Sequence, residues 1–143
     1  MTVPVWMLLG FAAWTVILLL TTVGMYRWSR ILTGRVAIKD FRSDQIEGEE
    51  WYKRAVRAHA NCIENLPVFG AIVLALHLGG VRGPAVNWLC ISILVARIMQ
   101  SLIHVSLVQT NSVASLRFVF FFVQIASFLS LIVMIAAQVG MIW

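Results

Sequence analysis

Between Val3 and Tyr26 the chain reads VPVWMLLGFAAWTVILLLTTVGMY, without one charged side chain. A helix that crosses a bilayer needs about 20 mainly apolar residues, and this run supplies them. It shows no period-2 alternation, so it does not fit a barrel strand. Only helices and closed barrels satisfy their backbone polar groups inside lipid. Working outward, three further stretches have the same character. One starts at the cluster Glu49, Glu50, Trp51, Tyr52 and ends near Leu78; the others run from Ala85 to about Val108 and from about Val113 to Met141. The expected fold is an all-α membrane protein: a four-transmembrane-helix bundle in a single domain over residues 1–143, with spans at about 3–26, 49–78, 85–108 and 113–141 and one sizeable loop at 27–48.

Composition points the same way. Of 143 residues, 61% are hydrophobic and only 12% charged, and the mean hydropathy is +0.90. A soluble domain carries about 25% charged residues. Half of that shell is missing, so lipid must solvate much of the surface. The connections are short. His77-Leu78-Gly79-Gly80-Val81-Arg82-Gly83-Pro84 reads as a turn, which makes the second and third helices an antiparallel hairpin; Gln109-Thr110-Asn111-Ser112 is a second polar turn. The first apolar run has no basic lead-in and no small-residue cleavage site, so it reads as a retained helix rather than a signal peptide.

Arg27, Arg30, Arg35, Lys39, Arg42, Lys53, Arg54 and Arg57 cluster in the first loop and the start of the second helix. Arg117 shares that side, and the opposite side holds only Arg82. The positive-inside rule puts the large loop in the cytoplasm and both termini outside. Minimal loops favour a bacterial inner membrane. A net charge of +5 is accounted for by topology and anionic head groups, with no nucleic acid needed. Trp51, Tyr52 and Trp143 read as interfacial belt aromatics. Cys62 and Cys90 read as core packing. His59, His77 and His104 are dispersed without ligand spacing, so no metal site is expected.

The spans are not uniformly apolar. Arg54, Arg57, Asn61 and Glu64 share one face of the second helix, and Arg97, Gln100 and His104 one face of the third. Arg117 and Gln124 share a stripe on the fourth. With the helices antiparallel, Asn61, Glu64, Gln100, His104 and Arg117 all fall in the cytoplasmic half of the membrane, and Arg97 lies nearer its middle. Stripes at one depth must face each other or a partner subunit. They would line a pocket with several cations and one carboxylate, suited to an anionic ligand that also carries an amine. A structural reading stands beside this one. Glu64 and Arg97 form a buried ion pair in it, Arg54, Arg57 and Arg117 snorkel to the interface, and Asn61, Gln100 and His104 are interhelical hydrogen-bond glue.

The segment Arg57-Ala58-His59-Ala60-Asn61-Cys62-Ile63-Glu64-Asn65-Leu66-Pro67, with its lead-in Glu50-Trp51-Tyr52-Lys53-Arg54, resembles the second-helix signature of the MAPEG family, membrane-associated proteins in eicosanoid and glutathione metabolism. The signature is Arg-Ala-His/Gln-x-Asn-x-x-Glu, often with a proline soon after. The likeness extends over the chain in length, span number and the basic loop. It implies a homotrimer with glutathione sites between subunits in the cytoplasmic half. By the same resemblance Arg57, Asn61 and Glu64 hold the glutathione backbone and Arg97 matches a third-helix arginine. Gln100 and His104 occupy positions often filled by His or Tyr. Arg117 resembles the arginine that holds the glutathione sulfur as thiolate, across a gap in the preceding loop, and Arg30 stands where a neighbouring subunit contributes an arginine.

The activity implied is a glutathione-dependent membrane transferase or peroxidase acting on a lipophilic electrophile or lipid hydroperoxide. The third helix lacks the Tyr found in many members, and Phe118, Val119, Phe120 and Phe121 follow Arg117 where some members carry hydroxyls. A non-catalytic member that binds lipid, glutathione or a partner protein is therefore the alternative. A small four-helix multidrug exporter fits less well, since an arginine stripe would repel cationic substrates.

Overall fold

The computed structural model describes residues 1–42 and 46–140. Among these there is no strand. Four helices are long and apolar enough to cross a membrane: Val3–Leu32, Glu50–Leu78, Pro84–Ser106 and, within the fourth helix Asn111–Gly140, Asn111–Gln138. Large apolar side chains point outward along every one of them, among them Leu20, Leu74, Val95 and Val133. That distribution suits a surrounding of hydrocarbon rather than water. Asp44 of the loop, Met141 at the expected end of the last span and Trp143 lie outside the described residues.

The core draws on all four helices. Phe11, Phe69 and Phe128 are buried at its centre, with ring centroids 5.8 Å apart for Phe11–Phe69 and 6.1 Å for Phe69–Phe128. Cys62 and Cys90 are buried in the same cluster as free thiols. The first helix packs against the second and third, and the third packs most extensively on the fourth. A Cβ added at Gly10 would lie 3.0 Å from Leu94 Cδ2, so glycine there lets the first and third helices approach closely. The turn between the second and third helices follows the Gly-Pro reading. Gly80 and Gly83 adopt φ of +65° and +150°, and Pro84 occupies the first turn of the next helix, where its missing N–H has no intrahelical role.

The first helix departs from expectation. It runs to Leu32 instead of ending near Tyr26, and Leu19–Gly24 form a π-helical turn inside it. Thr21 and Thr22 donate their hydroxyls to the carbonyls of Ile17 (2.8 Å) and Leu18 (2.6 Å). Such back-bonding loosens the ladder of a helix and accompanies bulges of this kind. Beyond the turn, Arg27 and Arg30 are part of a helix rather than a loop because each has a partner on the second helix or just before it. Arg27 Nε donates to Tyr52 Oη at 2.8 Å, and Arg30 Nη2 meets Glu49 Oε1 at 2.7 Å.

Tyr52 is accordingly no belt aromatic. It is buried and stacked on Tyr26, with centroids 4.0 Å apart and 16° between planes. Trp51 is half-buried, edge-on to Tyr26, and donates its Nε1–H to Glu49 Oε2 at 2.8 Å. Gly48 closes this knot with φ +137°, and a Cβ there would lie 2.6 Å from Tyr26 Oη. Gly48→Ala should therefore cost about 1–3 kcal/mol, from left-handed strain plus displacement of the tyrosine pair. A lowered thermal midpoint of the detergent-solubilised protein would register it.

Candidate functional site

The third and fourth helices meet through their polar stripes. Arg97, Gln100 and His104 are all buried, as is Gln124. Gln124 Nε2 donates to Gln100 Oε1 at 3.0 Å and to the Phe120 carbonyl at 3.0 Å. Gln100 Nε2 in turn donates to the Arg117 carbonyl at 3.4 Å. Amides inside a membrane protein need such partners, and this ladder fixes the rotation of the two helices about one another.

Around the end of that ladder nearer the basic loop the cations gather. The charges of Arg117, Arg57 and Arg54 all reach His104, and those of Arg57 and Arg117 reach each other. Arg54 Nη2 donates to the Val105 carbonyl at 3.5 Å, which ties the second helix to the end of the third. Arg54 Nε, His104 Nδ1 and Arg117 Nε are buried without any hydrogen-bond partner. Like charges held together in a poorly solvated place repel, and the orphaned guanidinium donors of Arg54 and Arg117 cost about 1–3 kcal/mol each. An anion seated among them relieves both costs.

A cleft of about 150 Å3 opens beside Arg117, lined by Gln100, Ala114, Arg117, Phe118 and Phe121. Sequence reasoning missed its apolar wall. The signal was present: 114, 117, 118 and 121 fall at helical spacing on one face. Whole small-molecule pockets occupy about 300–1,000 Å3, so this cleft holds part of a ligand and not a whole tripeptide.

The second-helix motif behaves differently. Asn61 is half-buried, and Arg57 and Glu64 lie on the exposed side of the helix together with Pro67. Asn65 Nδ2 caps the Asn61 carbonyl at 2.8 Å. No ion pair joins Glu64 to Arg97 among the described residues. Arg97 is 1% exposed, lies 5.6 Å from the Phe11 ring centroid, and has neither Nε nor Nη2 hydrogen-bonded. Glu64 acts on it only through its charge. Arg30 is elsewhere: paired with Glu49, placed 4.4 Å from the Tyr26 centroid, beside a groove of about 470 Å3. One chain thus brings Arg117, Gln100, His104 and the charge of Arg57 together, along with Arg54. It leaves Arg97 deeper in the bundle, turns Glu64 outward, and keeps Arg30 in a separate groove.

A charged face on a helix inside lipid costs about 2.5–3.5 kcal/mol per group at the centre of the membrane. The outward direction of Arg57 and Glu64 therefore calls for cover by something other than acyl chains. No curated protein and no solved structure matches the chain. The sequence profile of the MAPEG family, by contrast, matches residues 4–137, nearly the whole length. With four membrane-spanning helices in place and the second-helix motif intact, the chain belongs to the MAPEG family of integral membrane proteins.

Proposed function

We propose that the protein is a glutathione-dependent transferase or peroxidase that acts on a lipophilic electrophile or a lipid hydroperoxide. The observation that carries this reading is the gathering of Arg54, Arg57 and Arg117 about His104, with buried donors left unpaired beside a cleft. Family membership supports the broader assignment to membrane glutathione or eicosanoid chemistry. Glutathione offers two carboxylates, an amine and a thiol, which match forked guanidinium donors, Glu64 and Arg117 in turn. A free thiol has a pKa of about 8.5, so only a few per cent is thiolate at neutral pH. Arg117 lies in the second turn of the fourth helix, where its charge and the positive end of the helix dipole both favour the anion.

The thiolate then has two uses. With an aryl halide, sulfur forms a bond to carbon and the halide departs with its bonding pair. With a hydroperoxide, sulfur takes the terminal oxygen and the alkoxide leaves as the alcohol after gaining a proton. A second glutathione then converts the resulting sulfenic acid to the disulfide and water. Phe118 and Phe121 give the electrophile an apolar wall open to the bilayer.

Because the cleft is too small for the whole tripeptide and Arg57, Asn61 and Glu64 face partly or wholly outward, the reading includes a homotrimer in which a neighbouring copy closes each site. Arg30 and Arg97 complete the proposed set of glutathione contacts, Arg30 from the neighbour. It also places the basic loop and the site on the cytoplasmic side of a bacterial inner membrane, with both termini outside. The test is glutathione-dependent turnover by purified protein, with a chromogenic aryl halide and a lipid hydroperoxide. Turnover of either supports the reading. Well-folded protein that turns over neither would favour the alternative raised by Gln100, His104 and Phe118–Phe121, a non-catalytic member, and a glutathione-binding titration would then decide what it holds.

A further inference from the structure

We infer that the end of the bundle opposite the basic loop carries a binding site for an anionic phospholipid, with its head group at Arg82 and an acyl chain in the groove between the first and second helices. The site has two joined parts. A cavity of about 320 Å3 is lined by Thr2, His77, Arg82 and Asn87. An apolar groove of about 580 Å3, lined by Val5, Leu8, Gly70 and Leu74, adjoins it. Thr2, Val73 and His77 line both, so a chamber with a few polar groups on a largely apolar wall leads directly into an apolar groove. Each volume lies within the range of small-molecule pockets.

Among the described residues the charged side chains at this end have one sign. No Asp or Glu follows Glu64 in the chain, so Arg82 has no carboxylate near it in sequence. The first helix begins at Val3 and the third directly after Gly83, both residues of the cavity wall, and neither helix has a side-chain cap. Their free N–H groups add partial positive charge to that of Arg82. A phosphodiester offers the complementary charge and acceptors for Arg82, Asn87 and the helix ends.

Gly70 explains the channel. Glycine inside a helix costs about 1 kcal/mol relative to alanine. A Cβ at Gly70 would meet nothing within 4 Å, so packing within the chain does not require its absence. What the missing side chain leaves free is the floor of the groove. A zwitterionic head group such as phosphocholine brings its own cation to Arg82 and is disfavoured, so the site should select phosphatidylglycerol over phosphatidylcholine.

The experiment is native mass spectrometry of the full chain released from mixed micelles holding phosphatidylglycerol and phosphatidylcholine with identical acyl chains. Wild type is expected to retain phosphatidylglycerol preferentially. Arg82→Gln should weaken that retention about tenfold, the scale of one charge-assisted hydrogen-bond set. Gly70→Leu, which fills the groove and keeps every charge, should weaken both lipids. Arg35→Gln at the other end removes the same charge from an exposed site and should change nothing. Equal retention of the two lipids by wild type, retention unchanged in both Arg82→Gln and Gly70→Leu, or an equal loss in Arg35→Gln would each overturn the inference. None of these outcomes bears on the glutathione reading.

Discussion

Replacing Arg117 with alanine is expected to lower glutathione-dependent turnover about 10²- to 10³-fold, the usual cost of deleting one preorganised electrostatic group. The fold should survive. Arg117 Nε has no hydrogen-bond partner, and the bond from Gln100 goes to the Arg117 backbone carbonyl, which alanine retains. The pH profile separates a thiolate holder from a binder. In wild type the rate should already be near its plateau at pH 7. In Arg117→Ala it should climb until about pH 8.5, the ordinary thiol pKa, because the anion then forms without help. Arg117→Lys should recover part of the rate, since a point charge still favours the thiolate but loses the fork. A variant with the wild-type rate and an unshifted profile would remove Arg117 from the chemistry.

The second large effect concerns stability and has the opposite sign from most core substitutions. Arg97 is nearly solvent-free, with two nitrogens unpaired and no carboxylate of the described residues bonded to it. Apolar replacement of buried charge is often neutral or stabilising by about 1–4 kcal/mol. Arg97→Met, of similar length, should raise the unfolding midpoint of ligand-free protein by the equivalent of about 1–3 kcal/mol. Glutathione should protect wild type by about 2.7 kcal/mol at a hundred times its Kd, and should protect Arg97→Met far less. Such a pair of results would show a cation retained for an anion at the expense of stability. If Arg97→Met instead unfolds more easily and keeps its response to glutathione, Arg97 serves the packing of the bundle and not the ligand.

The spans were legible because length and apolarity alone specify a bilayer crossing, as Val3–Tyr26 shows. The turn at Gly79–Pro84 was legible because Gly and Pro restrict the backbone locally. The extension of the first helix through Arg27 and Arg30 was not. Charges after an apolar run read as loop, and only the partners Tyr52 and Glu49, distant in sequence, make them helical. Tyr52 was misplaced in the aromatic belt for the same reason: an aromatic at a helix start has no sequence mark for the ring it stacks on. Within the candidate site, helical spacing assigned Arg97, Gln100 and His104 to one face, and that face is buried. Spacing does not say which way a face turns. The second-helix stripe has the same regularity, yet Arg57 and Glu64 are exposed.

The π-helical turn at Leu19–Gly24 works as a phase adjuster. A turn of this type takes up an extra residue without breaking the rod, so the helix after it is rotated relative to an uninterrupted α-helix. Residues before it keep time with the hydrocarbon core at Phe11 and Leu18; residues after it keep time with Tyr52 and Glu49. Shortening the turn by one residue, for instance by deleting Thr22, would leave the crossing intact yet swing Tyr26, Arg27 and Arg30 by about 100°. The angle at which this helix presents its arginines can thus drift in evolution, or be retuned by design, one residue at a time and independently of the anchor that holds it in the membrane.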